Sequence, residues 1–232
     1  LPFCISVVMC AKRPSYLIKE KLMSTPAIIS AVPVVPPVNG WVEATLSKET
    51  MKVLRSYIEK SRRPVNEELA GNLSEEMELE DENGYFLTEV LYPLILEYGS
   101  YFEPIGDTVP ISEHRPFYLS GFWVNKQKKL EFNPTHRHSG IFSFVVWVDI
   151  PTDWRDEVKQ PFVAASNTPR ASSFSMLYSD VTGGMREMEY KMDKSREGTM
   201  LLFTANMMHQ VYPFYTSDKD RVSISGNIGL KV

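Results

Sequence analysis

The sequence is poor in cysteine, in net charge and in histidine, and each shortage excludes something. Its two cysteines, Cys4 and Cys10, both fall within the first ten residues. They cannot build a disulfide framework, and their position points to a reducing, intracellular setting. A formal net charge of -4, from 25 Lys and Arg against 29 Asp and Glu, leaves no basic footprint and argues against a dedicated nucleic-acid binder. Residues 1–10 are apolar, yet the run falls short of the about 20 residues that span a bilayer. Lys12 and Arg13 follow this run, the reverse of the order in a secretory signal. Met23-Ser24-Thr25-Pro26 reads as a natural start, so residues 1–22 are expected to be a disordered extension or upstream sequence. Internal repeats are missing. What is present, 43% hydrophobic and 12% aromatic residues in 232, is the composition of a globular protein, and residues 23–232 are expected to form a single domain.

The order of patterns is helical first and extended afterwards. Residues 23–40 are rich in Pro, Val and Ala, which favours an extended lead-in. Ser47 is a good N-cap, Glu49 lies in the first turn, and Met51, Val53, Leu54, Tyr57 and Ile58 recur at helical spacing, predicting a helix over about residues 48–62 that Pro64 ends. The acidic stretch within residues 66–84 reads as a solvated loop or short helix. A second helix is predicted over about residues 85–102, kinked or divided at Pro93. From Phe117 onward the texture is strand-like, with runs at 118–125, 142–150, 173–178, 187–192, 199–203 and 222–230. Asp180-Val181-Thr182-Gly183-Gly184 reads as a hairpin turn. Two helices before an almost uninterrupted β region imply a mainly β (α+β) chain. The expected architecture is a double-stranded β-helix, or jelly roll, with the N-terminal helices packed on it.

Of only four histidines, two stand one residue apart in Asn133-Pro134-Thr135-His136-Arg137-His138. Residues at i and i+2 of an extended segment share a face, so both imidazoles can converge on one ion while Arg137 points away. His209 ends another strand-like run and can complete a facial set that leaves coordination positions open, the pattern of a mononuclear non-haem iron enzyme. A His-x-His pair is a weak signal by itself, since histidine also caps turns and fills half-buried sites. Its place at a strand end strengthens it. Arg221-Val222-Ser223 follows downstream, where a guanidinium and a hydroxyl on one face suit a carboxylate; Arg221 alone would equally suit a surface salt bridge. His114 reads as an exposed turn residue, and Cys4 and Cys10 as free cysteines in a loose tail.

Taken in order, Phe122-Trp123-Val124-Asn125, the His136-Arg137-His138 motif, Gly198-Thr199-Met200-Leu201-Leu202-Phe203, His209-Gln210-Val211 and residues 221–227 (RVSISGN) make a far more specific set than any one of them. The set resembles the Fe(II)/2-oxoglutarate-dependent oxygenase superfamily, and more narrowly is similar to oxygenases of marine bacteria and their phages. The resemblance covers about residues 117–230. It implies a jelly roll, Fe(II) with 2-oxoglutarate as co-substrate, His136 as first ligand, His209 as the distal one, and Arg221 with Ser223 on the far carboxylate. It further implies decarboxylation of 2-oxoglutarate to succinate and carbon dioxide coupled to hydroxylation of a substrate. One departure stands out: His138 occupies the place where the superfamily generally has a carboxylate. Either His138 ligates, giving three neutral imidazoles, or the iron has two protein ligands and a water; the similar marine group, also His-x-His, favours ligation.

Around these ligands, Trp123, Phe144 and Trp147 are expected to line a cavity, although aromatic residues on strands are more often core. Asn125 and Asn227 are further polar candidates for co-substrate or supporting contacts. Residues 151–197, including Pro151-Thr152-Asp153-Trp154 and the Gly183-Gly184 turn, are expected to form variable pocket walls. A small-molecule or peptide substrate, no membrane, and a cytoplasmic setting in a bacterial or phage-infected cell complete the expectation; nothing in the sequence sets an oligomeric state. Two rivals are a cupin-like three-histidine dioxygenase without 2-oxoglutarate, in which Arg221 would be dispensable, and a non-catalytic jelly-roll binding or structural protein, in which His136 would be.

Overall fold

The computed structural model describes residues 40–102 and 115–231. The expectations for residues 1–22, for Cys4 and Cys10, for the lead-in up to residue 39 and for His114 lie outside the described residues. Two antiparallel sheets face one another. The larger has six strands in the order β1 (Trp41–Thr45), β8 (Thr199–Thr204), β5 (Phe142–Asp149), β10 (Arg221–Leu230), β3 (Phe117–Gln127), β2 (Glu75–Glu78). The smaller has four: β4 (Asn133–His136), β9 (Met208–Val211), β6 (Ser173–Ser179), β7 (Met185–Lys191). This is the expected jelly roll, mainly β. Among the described residues no helix is long and apolar enough to cross a membrane.

Strand alternation divides the larger sheet into two apolar faces. Phe122, Val124, Phe144, Val146, Val148, Ile224 and Ile228 share one cluster with the helical residues Leu54, Tyr57, Val90, Ile95 and Tyr98. Val145, Trp147, Leu201 and Phe203 point the other way and meet Phe174, Met176 and Tyr190 of the smaller sheet. β10 therefore separates a helix-facing core, made by Ile224 and Ile228, from an interior face that carries Arg221, Ser223 and Ser225.

The helical layer forms for local reasons. Helix α1 (Lys48–Lys60) begins where the Ser47 side chain accepts the Thr50 N–H at 3.0 Å, and buries Leu54 and Tyr57. The second helical segment divides as its proline requires: a π-helical turn (Phe86–Leu91) runs into α2 (Tyr92–Tyr101), with Pro93 in the first turn of α2, where its missing N–H costs least. Asp81 caps this segment, its carboxylate accepting the Phe86 and Leu87 N–H groups at 2.8 and 2.9 Å.

One expectation fails here. The acidic stretch is not merely solvated, because Glu75–Glu78 is strand β2, paired with β3 from Glu75↔Lys126 to Glu78↔Trp123. Its charges are managed from outside, Glu75 by Lys126 and Glu78 by Arg63, so edge pairing overrides a composition unfavourable to strands. The Asp180–Gly184 turn joins β6 to β7 as expected, with Gly183 at φ 81° and the Asp180 carboxylate accepting the Thr182 and Gly184 N–H groups.

Candidate active site

A cleft lies between the two sheets, and three histidines line it, His136 and His209 from the smaller sheet and His138 from just beyond β4. His136 and His209 are direct cross-strand partners on β4 and β9, and His138 lies two residues beyond His136, held where its N–H donates to the Ala205 carbonyl at 2.9 Å. The His138 and His209 Nε2 atoms stand 3.2 Å apart. Ring centroids of the three lie 4.3 to 5.0 Å from one another, and one ligand nitrogen from each fits within 4.8 Å of the others. Two nitrogens each about 2.1 Å from a metal and at right angles to it would be about 3 Å apart. Arg137 is exposed and turns outward to Asn206.

Backbone fixes the tautomers. His136 Nδ1 lies 2.7 Å from the Pro134 carbonyl and His209 Nδ1 lies 2.9 Å from the Met207 carbonyl, so each Nδ1–H donates to its own strand and each Nε2 keeps its lone pair. Burial pushes all three imidazoles down in pKa, His138 to about 4 and His209 to about 3, with His136 adding a smaller repulsion to both. They are therefore neutral, the form that ligates, across the physiological range.

The same cleft holds a cation. Arg221 is 3% exposed, and its guanidinium donates to Gln127 Oε1 (3.0 and 2.5 Å), to the Tyr212 carbonyl (2.9 Å) and to Ser172 Oγ (3.4 Å), over the Phe214 ring. Among the described residues no carboxylate lies within ion-pair distance of it. Desolvation lowers its pKa to about 10, only partly offset by Glu157, so it stays charged at neutral pH. A buried cation with neutral partners alone is an arrangement that an incoming carboxylate completes. Ser223 lies two residues along the same strand face; its hydroxyl accepts from Asn125 Nδ2 at 3.3 Å, as does that of Ser225 at 3.0 Å, while Asn125 Oδ1 accepts the Trp123 indole N–H at 3.0 Å.

The structure thus brings His136, His138, His209, Arg221, Ser223 and Asn125 together, with Trp123 and Trp147 in the walls. Asn227 is not among the lining residues; it lies further along β10, accepting from Ser143 Oγ at 2.7 Å. Phe144 borders the cleft, but its ring packs on the helix side, 5.4 Å from Phe86 and 6.0 Å from Phe122. From residues 151–197 only Phe174 lines the cleft; neither the Pro151-Trp154 segment nor the Gly183-Gly184 turn does, and one wall comes instead from residues 69–73. Three residues escaped the sequence reading, among them Ser172, the partner of Arg221 Nη1. Gln127 was accessible to it, since it shares the strand face of Trp123 and Asn125. Glu76 was not, because it stands among Glu75, Glu78, Glu80, Asp81 and Glu82 in a stretch that reads as solvated.

A jelly roll that points three neutral imidazoles at one spot and buries an unpaired guanidinium in the same cleft has the make-up of a metal-dependent oxygenase. Residues 121–227, which include His136, His138, His209 and Arg221, match the family described as "Putative 2OG-Fe(II) oxygenase". The activity that this match supports is that of an Fe(II)- and 2-oxoglutarate-dependent oxygenase. No curated protein matches the sequence. Similar solved structures include a Pseudomonas putida prolyl-4-hydroxylase (15% identity, TM-score 0.47, covering 84% of this chain and 94% of that one). Another is a 2OG-Fe(II) oxygenase family oxidoreductase from Burkholderia pseudomallei (11%, 0.47, 82% and 84%). A third is HygX from Streptomyces hygroscopicus, with nickel, 2-oxoglutarate and hygromycin B bound (12%, 0.48, 82% and 83%).

Proposed function

We propose that this oxygenase holds its iron through His136, His138 and His209, receives the far carboxylate of 2-oxoglutarate on Arg221 and Ser223, and hydroxylates a small-molecule or peptide substrate in the cytoplasm. The observation that carries the assignment is the presence in one cleft of a buried, unpaired guanidinium and three imidazoles, that of His209 buried and those of His136 and His138 half-buried. When bound, iron and 2-oxoglutarate supply the oxidation: with one O2, the co-substrate becomes succinate and carbon dioxide, and a substrate C–H becomes C–OH. The chain supplies the rest. Nδ1–H bonds to Pro134 and Met207 hold two imidazoles in the ligating tautomer, and desolvation keeps all three unprotonated. Gln127 and Tyr212 hold Nε and Nη2 of the guanidinium, leaving Nη1, which meets only the Ser172 hydroxyl at 3.4 Å, to donate a charge-assisted hydrogen bond to a carboxylate. Trp123, Trp147 and Phe203 keep water from the walls. A three-imidazole set leaves the metal one positive charge higher than a set containing a carboxylate, which favours anionic co-substrate.

Anaerobic titration of metal-free protein with Fe(II) and then 2-oxoglutarate tests this reading. A visible charge-transfer band is expected in the wild type, none in His136→Ala or His209→Ala, and a weak one in Arg221→Ala. Stoichiometric iron without the band would refute the 2-oxoglutarate assignment, and loss of iron binding only in variants outside the triad would refute the ligand assignment.

A further inference from the structure

The cleft contains one carboxyl group among its lining residues, and nothing described so far uses it. Glu76 of β2 is 1% exposed, its Oε2 has no hydrogen-bond partner, and among the described residues no Lys or Arg lies within ion-pair distance of it. Buried carboxylates with structural roles look different. Glu157, fully buried in the same molecule, accepts the Tyr215 N–H at 2.6 Å, the Thr216 N–H at 3.1 Å and the Thr216 hydroxyl. An unsatisfied buried carboxyl costs stability that folding alone does not repay, so its partner is to be sought among what the cleft binds.

The wall beside it depends on a glycine. A Cβ at Gly71 would stand 2.9 Å from Glu76 Oε1, 3.1 Å from Leu73 Cγ and 3.3 Å from Asn133 Nδ2, so a glycine lets the backbone of residues 69–73 pass close beside the carboxyl. That wall is tied to the histidine-bearing strand side, Asn72 donating to the Phe132 carbonyl at 2.9 Å just before β4. Burial, with a smaller contribution from Glu131, holds the Glu76 pKa up at about 7, and a positive partner would favour its ionised form. Arg221 and Glu76 are thus two buried groups of opposite sign that do not pair with each other. Each calls for a ligand group of the opposite charge, and the co-substrate, a dianion, suits only the first.

We propose that Glu76 is the specificity-determining residue for the primary substrate and receives a cationic nitrogen group, an amine or guanidinium, on the substrate's non-reacting part. The proposal rests on the cleft being the oxygenase site, and it makes the substrate class basic. Holding the cation on β2 would leave the adjoining carbon chain directed along the cleft toward the histidines.

The test uses full-length protein loaded anaerobically with Fe(II) and 2-oxoglutarate, and two probes of one shape: n-butylguanidinium, which is charged and a poor metal ligand, and n-butylurea, which is neutral. Binding is followed by ligand-observed NMR, while the charge-transfer band separately reports the co-substrate. Wild type should bind the guanidinium at least about tenfold more tightly than the urea, as a charge-assisted contact requires. Glu76→Gln, which keeps the shape and loses the charge, should remove that preference and leave the band intact. Equal binding of the two probes by wild type, or a preference that survives in Glu76→Gln, overturns the proposal. So does a Glu76→Gln protein whose band or iron affinity falls, since Glu76 would then serve the metal or co-substrate. A wild type with no band refutes the iron and 2-oxoglutarate assignment instead, and the probe preference, read on the same sample, still decides for or against Glu76.

Discussion

Replacing Arg221 with methionine separates a co-substrate anchor from a structural arginine. The fall of its pKa from 12.5 to about 10 corresponds to about 3 kcal/mol against the charged side chain in the folded state. A base whose folded pKa is lowered disfavours folding wherever it is charged in the unfolded chain, so this cost is fully present at neutral pH and disappears only as pH rises through about 10 toward 12.5. Methionine removes it. The substitution also orphans Gln127 Oε1 and the Tyr212 carbonyl, at about 1–3 kcal/mol apiece. The contributions partly cancel, and metal-free stability in urea should fall by about 1 kcal/mol, give or take about 2, against the about 3–5 kcal/mol expected when a buried ion pair is broken. Co-substrate binding should respond quite differently. Nη1 is the part of the fork not already held by Gln127 or Tyr212, and a charge-assisted hydrogen bond from it at about 1.5–3 kcal/mol gives roughly 10- to 150-fold in Kd for 2-oxoglutarate, read by the visible band under anaerobic conditions. A large loss of stability with 2-oxoglutarate affinity unchanged would refute the reasoning.

Other outcomes follow from the same geometry. His138→Ala should weaken Fe(II) binding by more than the about 10–100-fold that loss of a ligand's outer partner costs, whereas Arg137→Ala, one residue away and exposed, should leave it within about twofold; equilibrium dialysis against Fe(II) compares them. Because the imidazoles have folded pKa values lowered to about 4 (His138) and about 3 (His209), the unfolded chain binds more protons below about pH 6.5. Metal-free stability should therefore be full above that pH and fall by on the order of a few kcal/mol as pH drops toward 4, with denaturant titrations along the pH series as the check. Gly226→Ala should destabilise by at least about 1–3 kcal/mol, because a Cβ there would lie 2.5 Å from Phe144 Cζ and 2.6 Å from the Gly121 carbonyl oxygen, and a thermal melt would register it.

Legibility in the sequence followed burial and local signals. The helix read over residues 48–62 is Lys48–Lys60, and the division expected at Pro93 is the passage from π turn to α2. The six strand-like runs correspond to β3, β5, β6, β7, β8 and β10, where residues such as Phe142 to Val148 are almost wholly buried. The four strands the pattern missed are short: β1, β2, β4 and β9 have four or five residues each. Strands of that length form through pairing with longer neighbours, a tertiary effect that no window of sequence contains. The histidines were legible because the sequence has only four, and Arg221 because of its place after His209 in the ordered set of motifs. Gln127, Ser172 and Glu76 were not singled out, since a polar residue becomes part of a site only when the fold turns it inward.

The site is shared between the best and the least supported strands of the protein. β10, which carries Arg221 and Ser223, is hydrogen-bonded on both sides over most of its length, whereas β4 is an edge strand joined to β9 through the Asn133↔Val211 and His136↔His209 partners alone. In hydrogen exchange the co-substrate wall should therefore open only with global unfolding, while the His136 strand should open locally and fast. A metal held by His136 on one strand and His209 on its neighbour would act as a rivet across that loose edge, so that loading slows exchange at residues 133–138 and 208–211 and leaves residues 221–230 as they were.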